Sequence, residues 1–196
     1  MAVVTATLIA RPLKAFAAIG CTLSNPAADI KYLYPEMTSY KEELKEFPRL
    51  KDGVGLFKAL KERLGGDFDP IYENFETPYT LYSVFKGRSK IGIVHGVNVP
   101  GKGGVIQVFL SMDPKTAAIG KLFFQRFESP AAAALRDKAF RARFEGLTLA
   151  DFDKNDHPVA APEIGADGRS DYDAALRGVR KNLVLLDLFV FNGGRR

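Results

Sequence analysis

One cysteine, no tryptophan and two histidines among 196 residues remove several classes of protein at once. Cys21 has no second thiol in the chain, so a disulfide scaffold is excluded. His95 and His157 are isolated in sequence from each other and from Cys21, and no cluster with metal-ligand spacing results. No apolar run reaches the ~20 residues that a helix needs to cross a bilayer. Blocks of Lys and Arg are also missing. The formal charge of +5 comes from 28 basic and 23 acidic residues spread along the chain, which argues against specific nucleic-acid binding. An isoelectric point near 9.3 still suits acidic partners or association with an anionic membrane surface. The chain holds no phosphate loop of the nucleotide-hydrolase type, no paired catalytic carboxylates and no nucleophile with a base and an orienting group. That pattern disfavours an independent enzyme acting on a dissociable substrate.

What remains is an ordinary globular composition, 46% hydrophobic and 26% charged, sufficient for one compact core without covalent staples. Residues 1–35 read as an N-terminal arm or docking segment: small apolar residues are interrupted by Pro12, Pro26 and Pro35. A secretory signal places positive charge before its apolar stretch. Here Ala2 to Ala10 comes first and Arg11 and Lys14 follow, so no signal peptide is expected and the cytoplasm, or the cytoplasmic face of a membrane, is the default location. Ala18-Ile19-Gly20-Cys21 resembles a lipoprotein cleavage box but lacks its usual leucine.

Residues 36–196 read as one α+β domain: an antiparallel meander sheet packed with about three helices. Leu56, Phe57, Leu60 and Leu64 recur at helical spacing over Val54 to Leu64, and Gly65-Gly66 stops the helix. The period then changes to two. Strands are expected over Thr80 to Phe85, Lys90 to Val99, Val105 to Met112 and Ala117 to Phe127, and their short connections require antiparallel neighbours. Pro130 and the alanines after it start a helix, and Leu147 to Phe152 suggests a short strand. Asp153 to Arg169 reads as an exposed loop. A last helix is expected from near Ser170, striped by Leu176, Val179, Leu183 and Leu186. From Leu183 to Phe191 the sequence is apolar on every side except Asp187, which implies full burial or a partner surface.

Three stretches between residues 78 and 190 carry a common pattern. The first is Gly92-Ile93-Val94-His95-Gly96-Val97-Asn98, followed by Gly101-Lys102-Gly103-Gly104-Val105-Ile106-Gln107-Val108. The second is Met112-Asp113-Pro114 and, after the next strand, Glu128-Ser129-Pro130. The third is Asp167-Gly168-Arg169-Ser170. Together they resemble the FMN-binding domain family, whose members include components of the sodium-pumping NADH:quinone reductase and of Rnf-type complexes, and the nitrous-oxide respiration regulatory protein. The family has Glu-Thr-Pro-Gly-Leu-Gly at the end of the second stretch and Ser-Gly-Ala-Thr at the third.

The resemblance implies a flavoprotein of electron transport, with FMN held by Gly101, Gly103, Gly104, Glu128, Ser129, Gly168, Arg169 and Ser170, and with Ser170 at the position that carries the flavin phosphate ester. Glycines would let a flat ring approach the backbone, and the start of the last helix would favour a phosphate. The partners implied are the other subunits of a redox complex. Departures from the pattern stand beside the match. Arg169 replaces alanine, Asp167 replaces serine, and Ala131-Ala132-Ala133 replaces Gly-Leu-Gly. Asp167, Asp171 and Asp173 would repel a phosphate, and Arg169 would pair with it. Two readings are therefore carried forward: an FMN-binding electron-transfer or accessory subunit, and a flavin-free structural subunit that docks through its arm and apolar C-terminal helix. Bland roles compete for the same residues. Ser170 would cap the last helix, the glycines would serve a turn, His95 would be a satisfied sheet residue, and Phe123, Phe124 and Phe127 would pack the core.

Overall fold

The computed structural model describes residues 20–191, so the apolar stretch Ala2 to Ala10 and the residues around Arg11 and Lys14 lie outside the described residues. Five antiparallel strands form one sheet: β1 (Ser39–Lys45), β2 (Tyr79–Lys86), β3 (Ser89–Gly101), β4 (Gly104–Met112) and β5 (Ile119–Phe124). Their order in space is their order in sequence, the expected meander. β2 and β3 turn over Gly87 and Arg88, where Gly87 has φ of 59°. β3 and β4 turn over Lys102 and Gly103, so the glycine-rich break is a tight two-residue turn between paired strands. β1 has no counterpart among the strands expected from sequence. Its Ser-Tyr-Lys-Glu-Glu-Leu-Lys is charged on both faces, which gives no period-two signal but suits an edge that must not recruit another strand.

Strand alternation divides the side chains into two apolar layers. Leu81, Ile93, Val97, Val108, Leu110 and Leu122 face one side, against helix α6 (Ala166–Leu186) and, beside it, α2 (Gly53–Leu64). Leu183 to Leu186 and Leu188 are buried in this layer, so the greasy end of the last helix is covered by the chain's own core. One turn of π-helix, Asp187–Phe191, continues it. A Cβ at Gly178 would stand 2.6 Å from Val108 Cγ2, so glycine sets how closely α6 lies on the sheet.

The opposite face carries Tyr82, Val84, Val94 and Phe109, covered by Leu23 and by Ile30 and Leu33 of α1 (Pro26–Leu33). Asn25 caps α1 by accepting the Ala28 N–H, and Pro26 occupies its first turn. A ladder of amides fixes the chain that leads there. Asn98 Nδ2 donates to the Gly20 carbonyl at 3.1 Å, Gln107 Nε2 to Asn98 Oδ1 at 3.3 Å, and Gln125 Nε2 to the Thr22 carbonyl at 3.1 Å. The part of the N-terminal segment from Gly20 onward is thus an integral layer of the fold.

Helices number six among the described residues, against the three or so expected from sequence, because short ones fill the connection after β5: α3 (Ala132–Arg136), α4 (Lys138–Ala142) and α5 (Leu149–Lys154). The strand expected over Leu147 to Phe152 is corrected to α5. Its reason is local: Thr148 and Asp151 form a capping box that starts a helix there.

Asn182, fully buried, ties the first layer together. Its Nδ2 donates to the Val108 carbonyl at 2.9 Å and the Gly178 carbonyl at 3.0 Å, which leaves its Oδ1 to accept the Nδ1–H of His95 at 2.7 Å. We expect Asn182→Ala to lower unfolding free energy by about 2–4 kcal/mol in urea titration, because it leaves buried donors and acceptors unpaired. Burial of the His95 ring pushes its pKa down to about 4, with the Asn182 bond pulling the other way. The native state then binds fewer protons than the unfolded chain between pH 4 and the ordinary 6.5. Stability should be full above pH 6.5 and fall by up to roughly 3 kcal/mol on descent to pH 4, and His95→Gln should flatten that slope.

Candidate functional site

The turn between β3 and β4, the chain after β5 and the start of α6 meet at one end of the sheet. Asp171, fully buried in the second turn of α6, is the residue on which they meet. Its Oδ1 accepts the backbone N–H of Lys102 at 2.6 Å, and its Oδ2 accepts the Ser129 hydroxyl. Ser129 Oγ in turn accepts the Ala131 N–H at 3.0 Å. Outside this core, the Lys102 ammonium pairs with Asp167 and holds that exposed carboxyl below the usual carboxylate range.

Several residues expected to line a flavin are therefore brought together, but by contacts with one another. A Cβ at Gly101 would lie 2.6 Å from Ile106 Cδ1 and 3.0 Å from Asp171 Oδ1. One at Gly103 would collide with the Glu128 carbonyl oxygen. The close approach that glycine permits here is taken by protein. Gly168, at its own place in α6, packs against Ala131, where an added Cβ would come within 2.9 Å of the Ala131 Cβ. Gly104 has φ of 118° with open space around it, so its role is conformational.

The other expected residues stand outside this cluster. Glu128 turns an exposed carboxylate to Arg126 at 3.4 Å. Arg169 is exposed, 3.7 Å from Asp173 and stacked over the Tyr172 ring at 5.1 Å. Ser170 is exposed within the helix. It does not cap it: α6 begins at Ala166 with Gly165 as its N-cap, one turn earlier than the sequence suggests. The difference has a physical cause, since Ala166, Asp167 and Gly168 carry a weak helix signal that only packing on Ala131 and Ile164 makes good.

Asp171 does not stand out in the sequence as an organising group; there it reads only as a negative charge near a helix start. A second buried polar centre is equally silent in the sequence. Lys181 of α6, 5% exposed at its side chain, pairs with Glu73, 2% exposed, and donates to the Asn98 carbonyl at 2.8 Å. Glu73 Oε2 accepts the Asp69 N–H at 2.5 Å. In sequence Lys181 falls opposite the stripe of Leu176, Val179, Leu183 and Leu186, where a charge reads as solvated.

Compared with known proteins, the chain matches no family model and no curated relative. Among the described residues no helix is long and apolar enough to cross a membrane, and no group of His, Cys, Asp and Glu has the arrangement to hold a metal ion.

Removing the Asp171 carboxylate leaves the Lys102 amide and the Ser129 hydroxyl without their acceptor. Asp171→Ala should cost about 2–4 kcal/mol of unfolding free energy and Asp171→Asn, which keeps one acceptor oxygen, about half of that. Chemical denaturation of the two variants beside the parent protein measures both.

Proposed function

We propose that this chain is a flavin-free accessory subunit, built like an FMN-binding domain, that serves a redox complex as a structural component. The observation that carries the reading is the placing of Asp171. In the resembling family the turn after the long strand and the start of the last helix hold a cofactor; in this chain the Lys102 N–H of that turn and the Ser129 hydroxyl go to a side-chain carboxylate of the last helix.

A phosphate at that place would face Asp171 with Asp167 and Asp173 close by in the same helix, and like charges in partly buried surroundings repel strongly. The arrangement does not fit an FMN phosphate. Ser170, the residue for covalent attachment, is exposed but lies within a formed helix, not in a turn that opens it. The electron-transfer reading therefore takes second place to the structural one.

What the proposed subunit offers a partner is surface. Val54 is 75% exposed and Ile71 66% exposed, with Leu44 and Tyr32 also largely open to solvent. The apolar residues 2–10 of the sequence supply a further docking segment. Such a subunit would sit on the cytoplasmic side, attached to its complex through these surfaces.

Co-expression with a flavin transferase is the direct test. The purified protein should be colourless, and its Ser170 peptide should have the unmodified mass. A yellow protein, or a Ser170 peptide heavier by one FMN, would overturn the reading.

A further inference from the structure

A lysine with its ammonium almost sealed from water is rare, since burying the charge is costly unless it is paired. Lys181 has that pairing with Glu73, but a buried ion pair adds little stability compared with an apolar pair of the same volume. Stability alone does not account for its presence. What distinguishes this pair is its position on the wall of a cavity of about 170 Å³ between α6, the end of β3 and the loop after α2. Asp67, Asp69, Pro100 and Arg177 line the same space.

From this geometry we infer that Lys181 forms an imine with a small 2-oxo acid bound in the cavity. Its formation does not depend on whether a flavin binds elsewhere.

The balance of the step is simple. Lys181 passes one ammonium proton to Glu73, the amine so formed attacks the carbonyl carbon, and the oxygen takes up a proton from the nitrogen, giving a carbinolamine. The nitrogen loses its remaining proton as the hydroxyl leaves as water, and a carbon–nitrogen double bond replaces the carbon–oxygen one. Nothing is oxidised or reduced. Glu73, in contact with the nitrogen, is placed to carry protons between it and the leaving oxygen. Protonation of the imine restores a positive charge beside Glu73, so the buried carboxylate keeps its partner. Acylation or carbamate formation on the same nitrogen would destroy that charge and leave Glu73 unpaired, which selects a carbonyl compound over other electrophiles.

Arg177 supplies the preference for an acid. It is exposed at the cavity and makes no hydrogen bond or ion pair among the described residues, whereas Asp67 is engaged by Arg180 at 3.6 Å and Asp69 accepts the Ile71 N–H at 2.9 Å. An unpaired guanidinium is the natural partner of a carboxylate. Around the amine itself stand Glu73, the Tyr72 ring at 5.7 Å, and Asp69 and Cys21 at longer range. Burial lowers the Lys181 pKa to about 7 against the ordinary 10.5, with Cys21 and Asp69 opposing, which eases the proton's passage to Glu73.

The test is reductive trapping on the intact chain. Pyruvate with cyanoborohydride at pH 7, followed by peptide mapping, should label Lys181 ahead of the exposed lysines such as Lys58. Arg177→Gln, a surface change, should lower the pyruvate yield at Lys181 about tenfold, the weight of one charge-assisted contact, while acetaldehyde labels it as before. Label confined to exposed lysines overturns the imine site. Labelling of Lys181 by acetaldehyde but not by pyruvate overturns the assignment to 2-oxo acids, as does an Arg177→Gln variant that traps pyruvate as well as the parent protein. Because the peptide map reads the unmodified sequence, the result does not depend on a Lys181 variant folding.

Discussion

Helix α6 lies on β3 and β4 at a distance that only glycine at position 178 allows, and the rest of the structure depends on that contact. It brings Asn182 within reach of a sheet carbonyl and of His95, Lys181 within reach of the Asn98 carbonyl, and Asp171 within reach of the β3–β4 turn. One helix thus delivers three buried polar side chains to three levels of the same sheet. Each is satisfied by a group whose position the strands fix, so these bonds specify the register of helix on sheet as well as adding to stability. Apolar packing supplies the bulk of the free energy, yet apolar contacts alone would tolerate a slide along the helix axis that these bonds forbid.

The two faces of the sheet use different means to the same end. On the α6 face, volume is filled by Leu, Val and Phe, with polar groups inserted singly. On the other face a short helix and an extended stretch are held by the amides of Asn98, Gln107 and Gln125 in sequence across neighbouring strands. Amide side chains suit that task because each both donates and accepts, so neighbours in the ladder satisfy one another as well as the backbone they anchor.

Much of this architecture is legible from the residues. Alternation in β2 to β4, the helical stripe of α2 and the short connections are sufficient for an antiparallel meander. β1 is not legible, because charges on both of its faces erase the periodicity that reveals a strand, and its place follows from pairing with β2. The start of α6 is displaced from its expected position because Asp-Gly-Arg-Ser reads as a turn, whereas tertiary packing around Gly168 draws that stretch into the helix. At the candidate site, Gly101, Gly103 and Gly168 are residues of close approach, as their types suggest, but what approaches them is other parts of the chain. A side chain that fills a site from within has no spacing signature, and Asp171 is for that reason the hardest residue to read. Lys181 and Glu73 are separated by 108 residues and meet only in the folded chain.

The Asp171 carboxylate holds the Lys102 N–H and the Ser129 hydroxyl, donors that a bound anion would otherwise compete for. Titration of the protein with free FMN, followed by amide NMR shifts over Gly101 to Gly104 and at Ser129, tests this most directly. With Asp171 already occupying it, the Lys102 amide should show no saturable shift. Stoichiometric, saturable shifts centred on Lys102 and Ser129 would contradict the proposed filling of the site from within.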